Sequence, residues 1–89
     1  MNFPFKEEKV GKKLFLREFS ENTDSEELVW HQDREDREVK VLESDGWRLQ
    51  MDNELPVLLE EGVTYSIPAY EFHRVIKGNG KLKVLVEKK

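Results

Sequence analysis

Two histidines and a neighbouring carboxylate are the side chains in this sequence best suited to chemistry. His31 and Asp33 stand in Trp30-His31-Gln32-Asp33, and His73 closes the later run Gly62-Val63-Thr64-Tyr65-Ser66-Ile67-Pro68-Ala69-Tyr70-Glu71-Phe72-His73. The chain holds two histidines in all and no cysteine, so imidazole nitrogen and carboxylate oxygen are its metal donors, and thiolate catalysis and disulfides are excluded. Carried on separate extended segments, His31, Asp33 and His73 can converge on one ion.

The elements that must position them are strands. The short runs Leu14-Phe15-Leu16, 28–33, 37–43, 47–52, 55–60, 64–67, 73–77 and 82–87 mostly alternate apolar and polar residues, as half-buried strands do, about eight strands in all. Turn signals separate them: Ser44-Asp45-Gly46, Asp52-Asn53, Glu61-Gly62 and Gly78-Asn79-Gly80. The last reads as a hairpin, because Asn and Gly tolerate positive φ, and Asp45-Gly46 reads the same way. Short, regularly spaced strands predict an all-β sandwich or barrel. The run 20–27 is polar and acidic, and reads as a loop in which Asp24-Ser25-Glu26-Glu27 can start a helical turn. With 89 residues the chain has room for one domain, 1–89, burying about 60–65% of its unfolded surface. Residues 1–27 are its N-terminal strand and polar loop, and 28–87 its barrel core.

Alternation also assigns faces. Leu82, Val84 and Val86 share the inner face of the last strand. His31 and Asp33 have one parity. Arg37, Val39 and Val41 point inward and Glu38 outward, and His73 shares the parity of Val75.

Composition narrows the partners. Charged residues are 38% of the chain and the net charge is -4, which disfavours a polyphosphate, and the basic pairs Lys12-Lys13 and Lys88-Lys89 are not interleaved with aromatics as a nucleic-acid surface would be. No apolar run approaches the ~20 residues that span a bilayer, and the first residues lack an apolar leader, so the expectation is a soluble, cytoplasmic protein bound to neither nucleic acid nor membrane.

These residues resemble the cupins, small barrels of the double-stranded β-helix or jelly-roll type. Their second motif, G-x5-P-x-G-x2-H, is matched in spacing by Gly62, Pro68 and His73, with Tyr70 in place of the second glycine. Their first motif, G-x5-H-x-H-x3,4-E-x6-G, is degraded. His31 stands for the first histidine and Asp33 for the second, and Val41-Leu42-Glu43-Ser44 resembles the usual ending. That register puts Arg37 where the family carries a metal-binding glutamate. The resemblance implies a metal held by His31, Asp33 and His73, a set of two imidazoles and one carboxylate that accepts Fe(II), Mn(II), Ni(II) or Zn(II). It also implies a homodimer, and a small molecule as the ligand.

Arg37 opens an alternative. Its guanidinium can pair bidentately with Asp33, removing that carboxylate from coordination and leaving a metal-free pocket for an anion, with Arg37 and Tyr70 as ligand-binding residues. Three functions follow from different classes: a metal-dependent enzyme acting on a small molecule, a non-catalytic anion-binding module, and a degenerate barrel retained for assembly. Trp30 and Trp47 read as packing aromatics, and Tyr70 and Phe72 lie at the expected barrel mouth.

Overall fold

The computed structural model describes residues 4–89; positions 1–3, part of the stretch read above for a leader, lie outside the described residues. Eight strands follow one another: β1 (Lys6–Lys9), β2 (Leu14–Phe19), β3 (Arg37–Glu43), β4 (Arg48–Met51), β5 (Val57–Leu58), β6 (Thr64–Ile67), β7 (His73–Ile76) and β8 (Leu82–Lys88). A single 3₁₀ turn over Ser25–Glu27 begins where the Asp24 carboxylate accepts the Glu26 N–H at 2.9 Å, the capping an Asp supplies to otherwise unpaired backbone donors. No helix of the described residues is long and apolar enough to cross a membrane.

The strands form two antiparallel sheets, one in the order β1-β2-β8-β3-β6 and the other β5-β4-β7. Their facing sides make the core. Trp47, Val41 and Leu82 are fully buried there, joined by Phe19, Leu49, Leu59, Ile67, Val84 and Val86. Alternation places these residues, since Leu82, Val84 and Val86 occupy every second position of β8. Trp47 satisfies its one polar atom by donating its indole N–H to the Gly80 carbonyl at 2.8 Å.

Three details differ from the sequence expectations. The run 28–33 is not a strand: it touches the sheet at a single bridge, His31 opposite His73, while Val29 and Trp30 stay exposed. The capped turn before it and the charged loop Arg34-Glu35-Asp36 after it pull the chain off the sheet on either side. In exchange, β1 forms from Lys6-Glu7-Glu8-Lys9, where no apolar period announces a strand. It pairs with β2 along its whole length and is exposed at every position. N-terminal residues 6–19 therefore supply two strands rather than one.

The third difference concerns turns. Asp45-Gly46 joins β3 to β4, and Gly78-Asn79-Gly80 joins β7 to β8, and in both cases the two strands lie in different sheets. These are corners between sheets, not hairpins. Gly46 does adopt positive φ, at 78°. Gly78 is small for another reason, because a Cβ there would overlap the backbone of Asp45, Gly46 and Trp47, and the Asn79 N–H donates to the Asp45 carbonyl at 2.8 Å. The two corners are packed against each other. Asp52-Asn53, by contrast, lies between paired strands β4 and β5, with Asn53 at φ 60°.

Candidate metal centre

The two imidazoles are brought together by the backbone. His31 donates its N–H to the His73 carbonyl at 3.0 Å, and His73 donates back to His31 at 2.9 Å, the reciprocal pair of an antiparallel ladder. Residues opposite each other in such a pair project to the same side, and the rings meet edge to face with centroids 4.3 Å apart. Asp33, two residues on, is held by the next loop, where the Tyr70 N–H donates to the Asp33 carbonyl at 2.7 Å and the Ala69 N–H to Asp36 Oδ1 at 2.7 Å. The Pro68-containing corner thus holds the segment that carries Asp33.

Hydrogen bonds at the far side of each ring decide which nitrogen faces the site. Nδ1 of His31 lies 3.0 Å from the Val29 carbonyl, and Nδ1 of His73 lies 2.8 Å from the Glu71 carbonyl. A carbonyl oxygen only accepts, so each Nδ1 donates and Nε2 is left as the nitrogen available to the site. Metal-bound histidines are oriented in the same manner. His73 Nε2 lies 3.3 Å from Asp33 Oδ2, a spacing that either a proton on Nε2 or a cation shared by the two atoms satisfies. Protonating His73 is disfavoured, since burial lowers its pKa from the ordinary 6.5, with His31 and Arg37 adding to that effect against the Glu71 carbonyl and the Asp33 charge.

One donor atom from each of His31, Asp33 and His73 lies within 4.8 Å of the others. Donors sharing an ion at about 2.0–2.2 Å are at most about 4.4 Å apart, so only a slight closure separates this arrangement from a coordinating one. The donor set, the tautomers and the spacing fit a divalent transition metal.

Arg37 points inward as its parity requires, and Glu38 outward, where its carboxylate accepts the Ser66 hydroxyl at 2.8 Å. The guanidinium divides its attention. Nη2 is 3.4 Å from Asp33 Oδ1 and 3.1 Å from Glu35 Oε1, so Asp33 is bound at one oxygen and keeps Oδ2 for His73. Pairing with Arg37 and presenting an oxygen to the site are therefore compatible, which the bidentate alternative did not allow for. The Nε atom of Arg37 is buried and has no hydrogen-bond partner. At Glu35 burial is the largest single influence and raises the pKa, but Arg37, Lys88 and a backbone hydrogen bond together outweigh it and hold the carboxyl below its usual range.

A cavity of about 360 Å³ opens beside this cluster. His31, Asp33, Arg37 and His73 line it together with a predominantly apolar wall that includes Leu49, Leu59, Ile67, Val75, Val84 and Val86. Tyr70, expected as a ligand-binding residue, is 62% exposed and does not line the cavity; its backbone is what serves the site. Trp47 is core as expected, whereas Trp30 lies at the surface with the Arg74 guanidinium 4.9 Å above its ring. Sequence reasoning missed Glu35, which lies off any alternating run and pairs with Arg37 without lining the cavity, and Arg17, which does line it. Arg17 carried a usable signal, since it shares the parity of Phe19 in β2.

No family model matches the sequence, and no curated protein matches it. Among solved structures the chain is similar to an RmlC-like cupin family protein with a double-stranded β-helix fold from Methanocaldococcus jannaschii, at 15% identity and a TM-score of 0.73, over 98% of this chain and 81% of that one. It is also similar to a DMSP lyase structure (20% identity, TM-score 0.72, 85% of this chain and 37% of that one) and to a structure of Fe(II) HppE (16%, 0.66, 85% and 41%). The chain spans less than half the length of these last two. With identities this low the likeness speaks for the backbone, and it agrees with the two antiparallel sheets and the corners between them: the chain has the double-stranded β-helix fold of the cupins.

Proposed function

We propose that this barrel binds one divalent transition-metal ion through His31 Nε2, Asp33 Oδ2 and His73 Nε2, and uses it on a small molecule held in the adjoining cavity. The observation that carries the reading is the pair of Nδ1–H···O=C bonds, which leave both Nε2 atoms free for an ion, with His73 Nε2 3.3 Å from Asp33 Oδ2. Similarity to a structure named for Fe(II) supports it, as does similarity to one named for a lyase. A bound ion would supply a Lewis acid or redox centre. The chain's own residues hold the donors in register, keep the His73 side of the site dry and set the guanidinium of Arg37 beside the Asp33 carboxylate.

Elemental analysis of the purified protein tests this. Close to one equivalent of a transition metal is expected, with loss of most of it in His73→Ala and in Asp33→Asn. Protein that stays metal-free after dialysis against Fe(II), Mn(II), Ni(II) and Zn(II) in turn would overturn the reading.

A further inference from the structure

The cavity beside the cluster has two chemically distinct ends. Its far wall is hydrocarbon, from Leu49, Leu59, Ile67, Val75, Val84 and Val86, contributed by both sheets, and it offers a polar-bodied ligand such as a sugar few groups with which to replace its hydrogen bonds to water. Its near end carries His31, Asp33, Arg37 and His73. The remaining charged groups do not offset this division: Arg17 is neutralised by Glu7 at 2.7 Å, and Glu27 is exposed and screened by solvent.

Charge at the near end defines the ligand's head. Arg37, the fixed cation here, is paired with Asp33 and with Glu35 just outside the cavity lining, so these three side chains sum to one negative charge. A divalent ion turns that sum from one negative to one positive, which a single anionic group balances. Arg37 also has a donor to give, since its Nε is buried and without a partner while Nη2 is engaged by Asp33 and Glu35. A carboxylate accepting from Nε gains a charge-assisted hydrogen bond in a site of low dielectric. Volume sets the body. At the ~30 Å³ that one water occupies in the liquid, 360 Å³ accommodates about a dozen non-hydrogen atoms.

We infer that the cavity takes a small organic monoanion with an apolar body, of about a dozen non-hydrogen atoms, its carboxylate or equivalent single anionic group seated at Arg37 and its hydrocarbon against the far wall. This rests on the metal reading through the charge count. Arg37 acts as the specificity-determining residue, and the apolar wall excludes polyhydroxylated anions of equal size.

The test uses the full chain, loaded with Ni(II) or Zn(II) and assayed for metal content first, and reads binding by calorimetry for three matched probes: phenylbutyrate, its neutral amide phenylbutyramide, and gluconate. Phenylbutyrate is expected to bind at least about tenfold more tightly than either of the others, the size of one charge-assisted hydrogen bond. Arg37→Gln is expected to bring the ratio of phenylbutyrate to phenylbutyramide affinity down to about one. Should Arg37→Gln fail to fold, Arg37→Lys, which keeps the charge and loses the Nε donor, is expected to weaken phenylbutyrate alone. Gluconate binding as tightly as phenylbutyrate overturns the apolar body, and phenylbutyramide binding as tightly overturns the anionic head. Either result in protein carrying one equivalent of metal overturns this inference and leaves the metal site standing. Protein that takes up no metal overturns the metal reading, and the monoanion with it.

Discussion

Tyr70 is the residue that departs most visibly from what its position asks. It stands where the cupin motif has glycine, and its φ of 62° is the left-handed region that a Cβ disfavours by about 1–2 kcal/mol. Its side chain is mostly exposed, so little packing offsets that strain. Tyr70→Gly is therefore expected to stabilise the protein by up to about 1 kcal/mol after the greater entropy of an unfolded glycine is subtracted. At about 4–8 °C per kcal/mol for a domain of this size, that is a measurable rise in Tm; a fall would show that the ring holds the loop. Metal content should not change, because the group that holds Asp33 is the backbone N–H. At the residue scale the sequence was most legible where motif and parity agreed. His73 came from spacing, and the inward Arg37 from alternation. Glu35 escaped both, since a side chain in a charged loop has no period to give it away.

At the scale of elements, corners rather than strands carry the information that was hardest to read. A Gly-Asn-Gly run and an Asp-Gly pair look the same in sequence whether they turn a strand back on its neighbour or send it to the opposite sheet. What distinguishes them is which strands pair, a long-range property. Gly78 is decisive because its Cα is pressed onto the backbone of the 45–47 corner. Gly78→Ala is expected to cost about 3 kcal/mol, the upper end for overpacking, readable as a lower urea midpoint with an unchanged slope. A change below about 0.5 kcal/mol, the range of ordinary surface substitutions, would mean the two corners part freely. β1 was invisible for the opposite reason: it is charged throughout and buries nothing that a periodicity could report. That composition suits a strand at the rim of a sheet, where lysine and glutamate discourage pairing with another chain.

For the whole molecule, metal and stability are linked, and pH tunes the link. The nine buried apolar residues of the described core contribute no donor to the site, though seven of them line the same cavity. Chelation is accordingly expected to lower Tm without unfolding the protein at room temperature, and restoring metal to one hundred times its Kd to return about 2.7 kcal/mol. The sign of the pH effect follows from His73. Its folded pKa lies below the ordinary 6.5, so between the two values the unfolded chain holds more protons, and stability rises with pH through that window and is lost as pH falls through it. Protons and metal compete for the same nitrogens. The Tm gain from metal should thus shrink as pH falls below about 6.5, and a gain independent of pH would exclude imidazole ligation. The cavity was not legible from sequence at all: alternation tells which side chains face inward, but the room left between two sheets depends on how far apart they sit.

The reciprocal backbone hydrogen bonds between His31 and His73 have a kinetic meaning as well. Because the ladder, not the ion, holds these two donors face to face, the chain has already ordered them before any metal arrives. On the proposed metal reading, capture then requires little more than the ion shedding water and a slight closure of the three donors, and release would leave the two imidazoles still paired at the backbone. A site of this kind would act as a preordered two-toothed chelator whose third tooth, Asp33, is held in place by the Tyr70 N–H and by Arg37.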